Sequence, residues 1–322
     1  MDHQHDTLPE IALEWHRSGR GAVLATVIET WGSAPRQAGS QLVVSGAGEI
    51  MGSVSGGCVE GAVVAEALEA LADGQPRLLR YGVSDENAFA VGLACGGTIR
   101  ILLEPVGTAL PEAMLDAIVT ARAARQPIAY GVTPEHWVRR LLGPADAPER
   151  FRTDRSGMAD SGEFIALFNP PLRLFVVGAV HIAQALVPMA RMAGHDPVLI
   201  DPREAFGSAA RFPGETILHD WPDEALATLG LDARTAVVTL THDPKLDDPA
   251  IIAALNSPAF YLGCLGSKRT HAKRLERLQG AGLDAAQLAR IHAPVGLDLG
   301  ARTPAEIAVS ILAEITATLR QG

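Results

Sequence analysis

LRLFVVGAVHIA, Leu172–Ala183, is the stretch on which the reading of the fold turns. A short apolar run, Leu172–Gly178, ends in a glycine and enters helical spacing predicted over His181–Ala193. Strand, glycine turn and helix in that order open a dinucleotide-binding βαβ unit. Working outward, Pro197–Asp201 (PVLID) reads as the next strand, with a helix near Asp223–Leu229. Further strands are expected at Ala236–Leu240 and Ala259–Leu262, and helices at Lys268–Gln279 and Thr303–Leu319. Strands alternating with helices make a parallel sheet, so residues 171–322 are predicted to form a Rossmann-like domain.

The ligand signal is weaker than the fold signal. Asp201 lies 23 residues past Gly178, where an acid that binds ribose hydroxyls would sit. Val180, however, stands at the second glycine of G-x-G-x-x-G/A, and a β-branched side chain there crowds a pyrophosphate. A tight strand-to-helix turn without ligand is the alternative reading.

The first half has a different character. Thr7-Leu8-Pro9-Glu10 reads as a helix start, with Thr7 capping and Pro9 in the first helical position. Ala22–Ile28 and Gln41–Ser45 read as strands, Val59–Ala72 as a helix stopped by Gly74, and Thr98–Leu103 as a strand. A helix follows at Pro111–Arg125, while the polar, Gly/Pro-rich stretch 143–163 reads as a linker or mobile loop. The expected organisation is an N-terminal α+β domain over 1–106, a connecting segment of helix, strands and linker over 107–170, and the C-terminal domain.

Composition limits the partners. The 322 residues carry a net charge of −10, which argues against a nucleic-acid footprint. No uninterrupted apolar run approaches the ~18 residues of a membrane span. Three cysteines do not make a disulfide framework, and the acidic start MDHQHDTLPE lacks the apolar core of a targeting signal. A cytoplasmic protein with reduced thiols is expected.

Three groups of residues are candidates for chemistry. Gly56-Gly57-Cys58-Val59-Glu60 stands at a predicted helix start, where a thiol gains thiolate character and the glycines leave amides open to an oxyanion. Cys95-Gly96-Gly97 has a similar frame, and both thiols are soft ligands for a metal or carriers for persulfide sulfur. Against this, a lone cysteine is commonly a small buried apolar residue, the reading preferred for Cys264. No spacing suggests zinc. The second group is Gly266-Ser267-Lys268-Arg269, in which Ser267 caps a helix whose first turns also carry Lys273 and Arg274. Cations at a helix N-terminus are unfavourable unless a bound anion reverses the sign, and phosphate is the obvious one. A solvated basic helix is the bland alternative. Third, Thr241-His242-Asp243 and Ala293–Gly296 fall at strand ends, where open α/β sheets collect ligands. Arg36, on a turn after a strand, is either a phosphate clamp or solvated.

Taken together, Gly32–Arg36 (GSAPR), Gly52–Glu60 (GSVSGGCVE), Leu93–Gly97 (LACGG), Asp201-Pro202-Arg203, Tyr261–Arg269 (YLGCLGSKR) and His292–Gly300 (HAPVGLDLG) resemble the XdhC/CoxI family. These are accessory factors for molybdenum hydroxylases such as xanthine dehydrogenase, and the resemblance covers most of the chain in family order. It implies a chaperone, not an enzyme, that binds molybdenum cofactor, supports its sulfuration by a cysteine desulfurase and inserts it into the apo-hydroxylase. On this resemblance Cys58 and Cys95 become candidates for contact with molybdenum, with Arg36, Gly56, Gly57, Glu60, Gly96 and Gly97 around the cofactor. In the second half Gly178, His181, Asp201, Arg203, Thr241, His242 and Asp243 are the corresponding candidates. Gly266, Ser267, Lys268 and Arg269 would meet the pterin phosphate. Two departures stand out: Val180 replaces a glycine of the family's G-A-G-H-V-A stretch, and Cys264 replaces an aliphatic residue. Val180 favours a plain molybdopterin over a dinucleotide form. The competing readings are a sulfurtransferase with a Cys58 persulfide and an NAD(P)-dependent oxidoreductase. Ala-rich faces such as Ala305–Leu319 suggest a homodimer.

Overall fold

The computed structural model describes residues 7–32, 36–82 and 97–321, and the chain divides into two compact units, Met1–Pro170 and Pro171–Gly322. The first unit runs α1 (Leu8–Arg17), β1 (Ala22–Trp31), β2 (Gln41–Ser45), β3 (Ile50–Gly52), α2 (Glu60–Asp73), β4 (Arg77–Tyr81) and β5 (Thr98–Pro105). It continues with α3 (Glu112–Ala123), β6 (Ile128–Thr133), β7 (Val138–Leu142), α4 (Pro148–Thr153), β8 (Gly157–Met158) and β9 (Phe164–Phe168). Strands β3-β2-β1-β5-β4 form one sheet, antiparallel throughout. The apolar run of β1 is explained by cover on both faces. Ala22, Leu24 and Ile28 pack with Leu8, Trp15 and Leu115 of the flanking helices, whereas Val23, Ala25 and Val27 pack with Val63 and Ala67 of α2.

Residues 107–170, read from the sequence as a connecting segment, fold with 1–106 into this one unit. Their sheet, β7-β6-β9-β8, places Tyr130, Val132, Phe164 and Phe168 in the same core as α1 and β1. Buried Glu104 of β5 accepts hydrogen bonds from Tyr130 of β6 at 2.8 Å and Arg139 of β7 at 2.7 Å. The stretch expected to be a linker holds α4 and β8, because one aromatic side chain in it, Phe151, is buried against Ala129, Leu142 and Ile165. Thr7 occupies the N-cap position of α1 without a side-chain bond, and Pro9 is the second helical residue, not the first.

The second unit runs β10 (Leu172–Val177), α5 (His181–Met192), β11 (His195–Ile200), β12 (Ile217–Leu218), α6 (Pro222–Leu229) and β13 (Thr235–Thr239). It closes with α7 (Pro244–Leu255), β14 (Tyr261–Cys264), α8 (Lys268–Gly280), α9 (Ala285–Leu288), β15 (Ile291–His292) and α10 (Pro304–Gln321). Its six strands are parallel in the order β12-β11-β10-β13-β14-β15, which is the Rossmann order 3-2-1-4-5-6. The order reverses between β10 and β13, and such folds gather ligands outside the carboxyl ends of those strands. Ile182, Leu186, Ile311 and Ile315 of α5 and α10 cover one face, and Ile251, Leu255 and Leu278 of α7 and α8 the other. Ala308, Ile311, Ile315 and Leu319, on the helix read as a dimer surface, are buried in their own unit. No described helix is long and apolar enough to cross a membrane.

Candidate functional site

In the first unit the GSVSGGCVE stretch is a loop tied to one acid. The carboxylate of Glu60, the first residue of α2, accepts from the Ser53 hydroxyl at 2.8 Å and the amides of Val54, Ser55 and Gly57 at 3.2, 2.9 and 2.9 Å. It also accepts from the Ser55 hydroxyl, which in turn receives the Val59 amide at 2.9 Å. Burial alone would raise the pKa of Glu60, but the serine hydroxyls and backbone amides outweigh it and hold the pKa at about 2. Glu60 is therefore ionised and engaged by its own loop. Gly56 and Gly57 take left-handed backbone angles, φ 77° and 110°, that other residues rarely adopt. Cys58, half-buried, follows them directly and packs on the core under α2, two residues before the helix begins. Cys95 and Gly96 lie outside the described residues, and Gly97 is buried just before β5.

Arg36 and Ser53 come from separate motifs, yet both line one cavity of about 380 Å³ with Gln37, Ser40, Gln41 and Ser156. Arg122, on its wall, is bonded to Glu10 at 2.7 Å.

In the second unit the predicted residues gather along the carboxyl ends of β10, β11, β13 and β14. Asp201, fully buried, accepts from the Ala179 amide at 2.8 Å and from the Arg203 amide, Nε and Nη2 at 3.0, 2.8 and 2.7 Å. Four donors use the four lone-pair positions of a carboxylate, so no oxygen is left for a ribose hydroxyl. Burial pushes the pKa of Asp201 up, but Arg203 and the amides prevail and hold it below its ordinary value. Arg203 stacks over Phe206 at 4.1 Å, and Arg211 donates to the Ala179 carbonyl at 2.9 Å, closing the glycine turn. Val180 is the N-cap residue of α5 and packs on the core, while His181 beside it is exposed.

Thr241-His242-Asp243 is tied by a second acid. Asp247 of α7, 2% exposed, accepts from the Thr241 hydroxyl at 2.7 Å and the His242 amide at 3.1 Å. His242 is forced to φ 62°, an uncommon conformation for a side chain of its size. Asp243 caps α7 by accepting from the Lys245 amide at 3.0 Å. Ser267 caps α8, as its sequence position implied, by accepting from the Thr270 amide at 3.2 Å. Gly266 turns before it at φ 143°.

One cavity of about 180 Å³ joins these loops, lined by His242, Asp247, Arg269, Thr270, Lys273, Arg274 and Arg277, with Pro244. Lys268 and Ser267 are exposed and do not line it. Asp247 and Thr270 are not among the residues singled out from the sequence. The legible signal is an acid at position 247 on the stripe of α7 that buries Leu246, Ala250 and Ile251. His292, Gly296 and Tyr261 serve another end. The Tyr261 hydroxyl and the Gly296 amide donate to Glu314 of α10 at 2.5 and 2.8 Å, and His292 lies 3.3 Å from the same carboxylate. The HAPVGLDLG stretch thus fastens α10 to the sheet edge. Cys264 is fully buried, and burial raises its thiol to about 11, as fits a core residue. Among the described residues no group of three or more His, Cys, Asp or Glu side chains could hold a metal ion.

Residues 15–82 match the XdhC and CoxI family, and residues 174–315 match the XdhC Rossmann domain. The chain is similar to the molybdenum cofactor insertion chaperone PaoD of Escherichia coli K12, 36% identical over 311 residues, covering 97% of this chain and 87% of the relative. It is also similar to a probable subunit of xanthine dehydrogenase from Bacillus subtilis 168, 27% identical over 93% of this chain and 94% of the relative. A crystal structure described as a xanthine dehydrogenase from Bacillus halodurans superposes with a TM-score of 0.72 at 24% identity, over 97% of this chain and 95% of that one.

Proposed function

Because the chain belongs to the XdhC and CoxI family, we propose that it is a chaperone whose cargo is molybdenum cofactor, delivered to an apo molybdenum hydroxylase of the xanthine dehydrogenase type. The observation that carries this reading is a cavity in the first unit bordered by the Glu60-tied loop; Cys58 is on that loop but does not line the cavity. Arg36 and Ser53 meet in one cavity of about 380 Å³, a size that accommodates a small organic ligand. The same Glu60-tied loop that supplies Ser53 presents Cys58 on its glycine frame. A half-buried thiol beside that frame suits a soft ligand for molybdenum in the cargo. The role is binding, protection and handover, without turnover of a free substrate.

In the proposal's finer part, a cysteine desulfurase supplies persulfide sulfur that replaces a terminal oxo ligand of the bound cargo; the oxo leaves as water, a thiol reductant provides the two electrons that take the sulfur to sulfide, and Cys58 is the candidate thiol relay. A mass gain of one sulfur on Cys58 after incubation with desulfurase and cysteine is expected if the thiol relays it as a persulfide; an unmodified Cys58 with sulfurated cargo restricts it to a ligand. The plain molybdopterin form is favoured over a dinucleotide. Support comes from Asp201, whose oxygens are all engaged, and from Val180 at the turn where a pyrophosphate would pass. A cytoplasmic location follows from these partners.

The test is cofactor content. Anaerobic purification from cells that make molybdopterin, followed by molybdenum and oxidised-pterin assays, is expected to give near-stoichiometric pterin in wild type and a severalfold lower content in Cys58→Ala. Equal pterin in both removes Cys58 from the cargo site. No pterin in either, after cofactor is also offered in vitro, removes the carrier function.

A further inference from the structure

Arg274 is the largest fully buried side chain among the described residues, with 2% of its surface exposed. Its Nη2 donates to the Leu265 carbonyl at 2.8 Å and lies 3.9 Å from Asp247 Oδ2. Nε and Nη1 have no partner among the described residues. A buried guanidinium with two unanswered donors is costly unless a ligand oxygen or water completes it. The same side chain borders the 180 Å³ cavity, beside His242, Thr270, Arg269 and Lys273.

The charges around that space do not cancel. Asp247 opposes Arg274, and Arg277 is paired with Asp248 through bonds of 2.6 and 2.9 Å. Arg269 and Lys273 make no ion pair among the described residues, so about two positive charges remain over the cavity. They lie on the first turns of α8, a 13-residue helix, where the backbone already disfavours cations and attracts anions. At about 180 Å³, some six water volumes of ~30 Å³, the cavity is below the ~300–1,000 Å³ of sites that enclose a whole small molecule. It holds a compact, doubly charged group and leaves the remainder of the ligand outside.

We infer that this cavity is a subsite for a phosphate monoester, with Arg274 as its buried anchor and Arg269, Lys273 and Thr270 as its rim. Lys268, on the same helix but off the cavity, has no part in it. The subsite stands on this geometry; its assignment to the phosphate of a pterin cargo rests on the carrier function proposed above.

The test uses full-length, cargo-free protein titrated with inorganic phosphate at constant ionic strength, read by calorimetry and phosphorus NMR line broadening. Saturable binding by wild type is expected, weakened about tenfold by Lys273→Ala and by Arg269→Ala. Lys268→Ala, which removes the same charge from the same helix, is expected to change affinity less than twofold. Arg274→Met abolishes binding if it folds; should it not fold, the two rim variants decide. Absence of saturable binding in wild type, or a Lys268→Ala effect equal to that of Lys273→Ala, overturns the subsite. Molybdopterin uptake by the rim variants separates the sources. Uptake lost with phosphate binding assigns the cargo's phosphate to the cavity, and uptake retained without phosphate binding overturns that assignment. A wild type that binds phosphate but takes up no pterin overturns the carrier function and leaves the subsite standing.

Discussion

Glu60, Asp201 and Asp247 share one job in three loops: each is an acid whose oxygens collect nearby amides, with hydroxyls added at Glu60 and Asp247 and the Arg203 guanidinium at Asp201, and so set the backbone beside a candidate site. Of the basic side chains that line the two cavities, Arg36, Arg269 and Lys273 make no ion pair among the described residues. Glu60 allows a quantitative prediction. Its pKa falls from an ordinary 4.5 to about 2 in the folded protein, so the ionised form stabilises the fold. That contribution is complete above about pH 4.5 and is lost as pH falls toward 2. Glu60→Gln is expected to lower stability by about 1–2 kcal/mol at pH 7, the range for hydrogen bonds to a charged group after solvent screening. The gap from wild type should close between pH 4.5 and 2 in urea titrations. A gap that persists at low pH would mean that Glu60 acts by shape, not charge.

At the scale of elements, the approach of β10 to β13 is set by Gly178. A Cβ added there would lie 2.6 Å from Thr241 Cγ2 and 3.3 Å from the Thr241 amide, at a φ of 110°. The glycine therefore serves two ends, the left-handed turn into α5 and the close contact of two strand ends at the reversal of the sheet. Gly178→Ala is expected to cost about 2–3 kcal/mol by urea unfolding. Adding Thr241→Ser, which removes Cγ2 but keeps the hydroxyl on Asp247, is expected to recover part of it. No recovery would place the whole cost on the backbone angle.

For the whole molecule, each unit has its own cores, with α1, β1, α2 and the second sheet in one and the covered Rossmann sheet in the other. Fragments 1–170 and 171–322 are accordingly expected to fold separately with cooperative thermal transitions. The second is expected to keep the phosphate affinity of the full chain, because every residue of its cavity lies within it. A fragment that stays unfolded alone would show that its unit depends on the other.

Where local pattern and packing agree, the sequence was sufficient by itself. The alternation of strands and helices after Leu172 determined a parallel Rossmann sheet, Ser267 and Gly74 marked helix ends, and the blocks GSVSGGCVE and HAPVGLDLG indicated the family. These are short-range signals, set by periodicity and turn chemistry. The polar stretch 143–163 misleads because one buried Phe151 outweighs its composition, and α7 is hidden by the interior Pro249 although Asp243-Pro244 is a helix start. Asp201 reads as a ribose ligand from its spacing, yet its oxygens are consumed by Ala179 and Arg203. Only the tertiary structure decided that Arg274 is buried with unpartnered donors while Lys268 is on the surface, since neighbours on one helix are told apart by what packs against them. Burial and hydrogen-bond saturation depend on residues distant in the chain, and no local pattern contains them.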